Sequence, residues 1–417
     1  MPDFEATIRD TLEAAREAET RFLAELVKMP SDNPPGDCQA HAERAAALLE
    51  GLDFTVERHP VPAETVKAAG MIAATNLVVR KKFGAPEDKG PTIALNAHGD
   101  VVPPGEGWTK NPYGAEIVDG WMYGRGVAVS KSDFATYSFA LLALDAAAKA
   151  GAKLKGTIEL HFTYDEEAGG EIGPRWLLDQ GLSKPDLSIG AGFSYNVVTA
   201  HNGCLHLEVT VTGKSAHAAM PFTGHDALEA ATAVLTALYD WRKRLTDKVS
   251  GIEGIGSPQC TVGLIDGGIN TNVVPDRVTF RLDRRMIPEE NPEAVEKELR
   301  DLIEGAARNY AGIGVRIRRI LLAAPLTPLD GGQRLVDRLS LRASEIMGEP
   351  VGPKGVPLYT DARHYTAAGI PTVLYGAGPH TIEEANAHRA DERLPLDDLY
   401  KATEVVALTL YDLLSEA

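Results

Sequence analysis

The chain of 417 residues is long enough for two domains, each with its own hydrophobic core. Its 44% hydrophobic and 24% charged residues are those of a globular protein, and a formal net charge of −17 excludes non-specific binding to nucleic acid or to an anionic membrane surface. No stretch of about eighteen apolar residues occurs, so no membrane-spanning helix is expected.

The first predicted element is an amphipathic helix over about Phe4 to Lys28, broken at Met29-Pro30; it lacks the basic-then-apolar order of a signal peptide. After the loop "SDNPPGD" a helix is expected around Gln39 to Leu52, then an alternating strand, "FTVERHPV". "NLVVRKKF" and "TIALNAHGD" are further predicted strands, the second apolar enough for a sheet covered on both faces. "ATYSFALLALDAAAKAG" predicts a helix closed by Gly151, and "TIELHFTYDEE" another buried strand. This rhythm predicts an α/β domain with a mainly parallel or mixed central sheet. Near residue 200 the pattern changes: "CLHLEVTVTG" alternates cleanly, with Leu205, Leu207, Val209 and Val211 on one face, as in a sheet with one solvated side. A helix over about Asp226 to Leu245, strands at "CTVGLIDGG" and "RVTFRLDRRM", a helix capped by Asn291 with Pro292 at its first position, and a strand "VRIRRILL" follow. From "AAPLTPLDGGQRLVDRL" the α/β style resumes, with a buried strand "PTVLYGAG" and a final helix "LDDLYKATEVVALTLYDLL". The expected architecture is therefore an α/β domain over 1–198 and 322–417, interrupted by an α+β domain over 199–321. Cys38, Cys204 and Cys260 are odd in number and in no metal-binding spacing, so a reduced, cytoplasmic protein is expected.

Polar residues gather where strands of the α/β domain are expected to end, which is where open α/β sheets place their sites. His98 and Asp100 follow one strand, Asp165, Glu166 and Glu167 a second, and His388, Asp391 and Glu392 the last. Two histidines and a carboxylate in one domain suit a zinc- or manganese-type site. Asp100 is placed to fix the orientation of His98. Of the adjacent glutamates, one can bind metal while its neighbour serves as a general base. Neighbouring side chains on a strand point apart, so the pair works only on the turn leaving the strand.

The order "HGDVVP", "DGWMYGRG", "DEE", "AHAAMP", "NVVPD", "TDAR", "GAGP", "AHRADE" resembles the M20 family of metallohydrolases, the clan of carboxypeptidase G2, succinyl-diaminopimelate desuccinylase, acetylornithine deacetylase and aminoacylase-1. The resemblance implies a phosphorylase/hydrolase-like catalytic domain with a mixed central sheet, an inserted ferredoxin-like lid, and a homodimer formed through that lid. It implies His98 as ligand of one metal with Asp100 as its partner, Glu167 and His388 as ligands of a second, and Glu166 as the base acting on water. It further implies that His217 stabilises an oxyanion in the partner subunit's site, that Asn272 and Arg285 hold a carboxylate-bearing substrate, and that Gly378 lines the pocket.

Two carboxylates of the family pattern are missing. In a "GRGxxDxKG" alignment the bridging aspartate falls on Val129, and in "KPDLSIGAGFSYN" Ala191 or Gly192 stands where an acid is usual. Ligand counting then leaves a contracted site with one divalent ion, zinc or manganese, on His98, Glu167 and His388. Asp133 is the candidate compensating ligand; Asn196, His201, His380 and Arg363 are further candidates for the site. Ser130 and Ser132 are expected to cap a helix, Trp108 and Tyr113 to pack beneath the site, and Arg125 to pair with a carboxylate. The expected function is metal-dependent hydrolysis of an amide-type C–N bond in a small carboxylate-bearing substrate. Two alternatives stay open: one-metal hydrolysis of a non-peptide C–N bond, in an aromatic amine, a cyclic amide or an imine-like substrate, and a catalytically weak or metal-free binding or regulatory protein.

Overall fold

Alternating apolar strands and helices build the first unit of the computed structural model, which describes residues 3–415. Helices α1 (Phe4–Val27) and α2 (Gln39–Glu50) lead into β1 (Val56–Pro60), the short α3 (Ala63–Ala68), β2 (Thr75–Phe83) and β3 (Thr92–His98). A small pair, β4 (Glu116–Val118) and β5 (Trp121–Tyr123), precedes α4 (Lys131–Lys149) and β6 (Gly156–Thr163); α5 (Pro174–Asp179), β7 (Leu187–Gly190) and β8 (Val197–His201) follow. The second unit consists of β9 (Gly203–Thr212), α6 (Ala227–Lys243), β10 (Gln259–Gly267), β11 (Arg277–Met286), α7 (Pro292–Ala307) and β12 (Gly314–Ala323). The chain returns through α8 (Gln333–Met347), β13 (Pro353–Val356), α9 (Ala362–Ala367), β14 (Thr372–Leu374), β15 (Arg393–Pro395) and α10 (Leu396–Ser415). The first unit ends at Thr199, resumes at Pro328, and yields Gly355–Tyr359 to the second. None of these helices is long and apolar enough to cross a membrane.

The central sheet has eight strands in the order β1-β2-β6-β3-β7-β14-β8-β13, with β6, β3, β7 and β14 mutually parallel. This is the expected mixed sheet. Helix α4 is apolar almost all round, and it packs on β3 and β6 on one side and on α1 and α10 on the other. Because β3 and β6 run side by side, with His98 opposite Thr163, their carboxyl ends deliver His98 and the Glu166–Glu167 turn to one place. A second sheet, β15-β5-β4, pairs Arg393 with Tyr123 and so draws the segment after β14 to the glycine turn that follows β5.

Within the second unit the strands are antiparallel in the order β10-β11-β9-β12, with α6 and α7 on one face. That is the βαββαβ pattern expected as ferredoxin-like. The asparagine cap is present: Asn291 Oδ1 accepts the Ala294 N–H at 2.9 Å.

One buried pair makes the first unit pH-sensitive. Glu19 of α1 lies against Thr403 of α10, whose hydroxyl stands 2.5 Å from Glu19 Oε1 and 2.9 Å from the Leu399 carbonyl. One hydroxyl proton cannot serve two acceptors, so a protonated Glu19 that donates to Thr403 is the satisfied arrangement. Burial pushes the Glu19 pKa up to about 8, against the opposing pull of the Thr403 hydrogen bond and Arg16. The folded value is raised above the unfolded one, so the associated stability is fully present below about 4.5 and is lost as pH rises through about 8. Glu19→Gln is expected to remove that slope and to raise stability near pH 8 by on the order of 3 kcal/mol. Denaturant unfolding of parent and variant across this range checks it; parallel curves would show that Glu19 does not carry the pH dependence.

Candidate metal centre

His98 closes β3 and is buried. Ser130, at the amino end of α4, does not cap that helix as expected; its hydroxyl accepts the His98 N–H at 2.9 Å and donates to the His98 carbonyl at 2.9 Å. The strand end that carries the histidine is therefore tied to α4. His98 Nδ1 lies 2.9 Å from the Asp100 main-chain carbonyl and 3.4 Å from its carboxylate. A carbonyl only accepts, so Nδ1 carries a proton and Nε2 is the nitrogen left for a ligand.

The buried Asp100 carboxylate does more than orient His98. Its two oxygens accept the N–H groups of Glu166 at 3.2 Å and Glu167 at 3.1 Å, and the Asn33 amide donates to it at 2.9 Å. Asp100 thus shapes the 3₁₀ turn Glu166–Ala168, which leaves β6 and lets adjacent glutamates face one site. A ligand atom from each of His98, Glu166 and Glu167 lies within 4.8 Å of the others. His388 joins this group through Glu167, with Nε2 3.4 Å from Oε1, and its side chain is half exposed.

The local field favours a cation. Burial opposes a charge on His98, yet the carboxylates of Asp100, Glu166 and Glu167 outweigh it and hold its pKa well above the ordinary value. Desolvation, together with Glu167, Asp361 and Asp100, pushes Glu166 up to about 8 against the charge of His98. Nitrogen and carboxylate oxygen donors under this excess of negative charge fit a divalent ion. Val129, Ala191 and Gly192 offer no side-chain donor to an ion. Val129 packs against the core, and a Cβ placed on Gly192 would lie 2.8 Å from the main chain of Leu374 and Tyr375.

Asp133, the candidate substitute ligand, is engaged elsewhere. Its Oδ1 accepts the Ala377 N–H at 2.7 Å, and the Gly192 N–H also reaches it. The carboxylate therefore joins the segments that leave β7 and β14; burial pushes its pKa up to about 7. Gly378 is required by close approach, since its N–H donates to the Gly192 carbonyl at 2.9 Å and an added Cβ would sit 2.4 Å from that oxygen. His380 stacks on Tyr195, and His201 meets the backbone of Asn202 and Leu326 in the second unit.

Several motif residues build the frame. Arg125 forms a buried ion pair with Glu392 at 2.5 Å, as expected, and Glu392 also accepts the Gly126 and Ala128 N–H groups. Asp391 accepts the N–H groups of Thr109 and Lys110. Trp108 donates to the Pro104 carbonyl, and Tyr113 to Asp32. Lys131 is buried, with Nζ on the Leu26 and Met29 carbonyls at the end of α1. Arg363 donates to the carbonyls of Gly169 and Thr360 and so holds the far end of the glutamate turn.

Sequence reasoning passed over Asn33 and Asp361. Asn33 lies in the "SDNPPGD" loop, and nothing in its spacing points to Asp100. Asp361 precedes Ala362 and Arg363 in "TDAR"; it is buried, its carboxylate oxygens have no hydrogen-bond partner among the described residues, and its charge is felt by Glu166 and Asp165. An acid inside a motif noted for its arginine was the available signal.

In the second unit, His217 and Asn272 sit on adjoining loops. His217 bridges to Val273, and the Ala218 N–H donates to the Asn272 carbonyl at 3.0 Å; both side chains are exposed. Arg285, near the end of β11, donates to Asp283 at 2.9 Å and lies over the Tyr359 ring.

A model of peptidase family M20/M25/M40 matches residues 94–412. By sequence the chain is 29% identical to the acetylornithine deacetylase of Myxococcus xanthus, over 95% of this chain and 97% of that one. It is 30% identical to the succinyl-diaminopimelate desuccinylase of Rhodospirillum centenum, over 93% and 95%. Among solved structures, an M20 family metallo-carboxypeptidase from Sulfolobus solfataricus matches with a TM-score of 0.74 at 19% identity, covering 95% of this chain and 99% of that one. A dinuclear metal-binding peptidase of the same family from Bacillus subtilis matches at 0.66 and 18%, covering 96% and 99%. At such identities the structural likeness speaks for the fold.

Proposed function

The chain belongs to peptidase family M20/M25/M40, a family of metallohydrolases, and from that premise we propose that it hydrolyses an amide-type C–N bond in a small carboxylate-bearing substrate with one divalent ion, zinc or manganese. The observation that carries this reading is the convergence of His98, Glu166 and Glu167 at the ends of two parallel strands, with His388 against Glu167. His98, Glu167 and His388 hold the ion in this reading. When bound, it supplies a Lewis acid that polarises a carbonyl and acidifies water.

The protein's own groups do the rest. Glu166 takes the proton of the attacking water and returns it to the departing nitrogen. Asp100 keeps His98 and the glutamate turn in register, so its role is positioning. His217, from the partner subunit, donates to the oxyanion, and Asn272 and Arg285 hold the substrate carboxylate. The names of the sequence relatives, which describe removal of an acetyl or a succinyl group from an amino acid, support a substrate of this class. Three free cysteines support a reducing, cytoplasmic location.

Hydrolysis of a panel of N-acetyl and N-succinyl amino acids, dipeptides and cyclic amides tests the proposal. Metal-dependent release of amine from an N-acylated amino acid, abolished by chelation, is the expected result. If only cyclic amides turn over, the non-peptide reading replaces it. If no compound turns over with the ion bound, a binding or regulatory role takes its place.

A homodimer through the second unit belongs to the same proposal. β10 is an edge strand, and Leu264, Ile265 and Ile269 on and beyond it are 61%, 56% and 78% exposed. An exposed apolar edge is a template for pairing with another chain. Ile265→Glu combined with Leu264→Lys is expected to shift the protein from dimer to monomer in light scattering, lowering turnover about tenfold or more without loss of metal. A parent already monomeric at assay concentration would rule this interface out.

A further inference from the structure

The open face of the four-stranded sheet carries a second convergence of ligand-type side chains. Leu205, Leu207 and Val209 of β9, with Val278, Phe280 and Leu282 of β11, are buried with the apolar faces of α6 and α7. The two-residue period of a strand turns Cys204, His206, Asp283 and Arg285 to the opposite face. The antiparallel register sets Asp283 directly across from His206, and Arg285 across from Cys204.

Three donors meet at one point. His206 Nε2 lies 2.9 Å from Asp283 Oδ2 and 3.2 Å from Cys204 Sγ, and the sulfur is 3.9 Å from Oδ2. On a tetrahedral zinc ion, with sulfur at about 2.3 Å and nitrogen or oxygen at about 2.0 Å, neighbouring ligand atoms stand about 3.3–3.6 Å apart. The observed separations bracket that spacing. In a cysteine–histidine–aspartate relay the thiol and the acid use opposite ring nitrogens. Here both crowd Nε2, which has a single proton or lone pair to offer them. Asp283 Oδ2 can accept from both the thiol and Nε2, and a cation at the same point would instead take all three as ligands.

The surroundings fit as well. Arg285 Nε donates to both oxygens of Asp283, to Oδ1 at 2.9 Å and to Oδ2 at 3.2 Å, and so fixes the carboxylate with Oδ2 also 2.9 Å from His206 Nε2. Cys204 is buried while His206 and Asp283 are about one-third exposed, so the cluster opens to one side. We propose that Cys204, His206 and Asp283 form a binding site for a zinc-class divalent cation, separate from the ion at His98, Glu167 and His388, with a fourth position open. A set of one sulfur, one nitrogen and one oxygen selects that class over magnesium or calcium. On binding, the thiol and Nε2 give up their protons to water.

Cobalt(II), a spectroscopic substitute for zinc, separates the two sites, because His98, Glu167 and His388 supply no sulfur. Titration of the metal-stripped full chain is expected to give a near-ultraviolet thiolate-to-cobalt charge-transfer band that saturates. The band is retained in Cys38→Ser and Cys260→Ser and lost in Cys204→Ser, with folding checked by circular dichroism. His206→Gln, at a partly exposed position, weakens cobalt binding at this band by about tenfold or more. A folded parent without the band, a band that survives Cys204→Ser, or unchanged affinity in His206→Gln overturns the proposal. Should Cys204→Ser fail to fold, the parent and His206→Gln decide it.

Discussion

Glu166→Gln is expected to lower kcat by roughly 10²–10⁴-fold while the metal content of the protein stays that of the parent. The substitution keeps the side-chain shape and the main-chain N–H that Asp100 accepts, so the turn after β6 is preserved. What it removes is a group able to take and return a proton. The test is sharp because Glu166 belongs to the same tight triplet as His98 and Glu167. Were Glu166 a ligand, metal would be lost along with turnover. Paired measurements of kcat and of bound metal by plasma mass spectrometry separate the two roles, and unchanged turnover would remove Glu166 as base.

The metal-replete protein is expected to carry one strongly bound ion per chain at the Glu167 site, and Glu167→Ala to weaken it by roughly 100-fold or more, with activity lost in proportion. Two donors, His98 and His388, remain in that variant, too few for a stable site. His388→Ala is expected to act in the same direction but more mildly, because this histidine is half exposed and reaches the group only through Glu167. The experiment is a titration of metal-stripped protein read by calorimetry, with activity followed in parallel. To keep the count clear of the proposed Cys204 site, it is run in a Cys204→Ser background. A second ion bound there as tightly as the first would refute the ligand count drawn from Val129 and from Ala191 or Gly192.

Much of the fold was legible from period and punctuation. The long helices α1, α4, α6, α7 and α10, the strands β3, β6, β9 and β11, and the βαββαβ order of the second unit follow from apolar spacing and caps that act locally. Short elements were harder. β7, α5 and α9 span only 4, 6 and 6 residues, too few to establish a period, and their place is set by neighbours distant in sequence. The expected strand "PTVLYGAG" pairs over only Thr372–Leu374. Beyond it, the main chain turns to meet Asp133 and Gly192.

The centre divides along the same line. His98, Glu166, Glu167 and His388 carried a signal because their side-chain types announce their chemistry. Most supporting contacts did not, because each is made between segments far apart in the chain: Asn33 to Asp100, and Asp133 to Ala377. Cys204 was set aside on the spacing of the cysteines alone; its neighbours His206 and Asp283 come from the same strand and from a strand paired with it.

The apposition at Gly192 has a consequence for how this sequence can change. Its carbonyl accepts the Gly378 N–H, and its α-carbon faces the Leu374–Tyr375 main chain with no space for a side chain. A lineage drifting from here could regain an acid at residue 129 in a single substitution. An acid at residue 192 would first have to push apart adjoining segments of the central sheet. Of the positions that stand where the family pattern has an acid, residue 192 is thus closed to one by its packing, whereas residues 129 and 191 already carry a side chain that a point mutation can exchange.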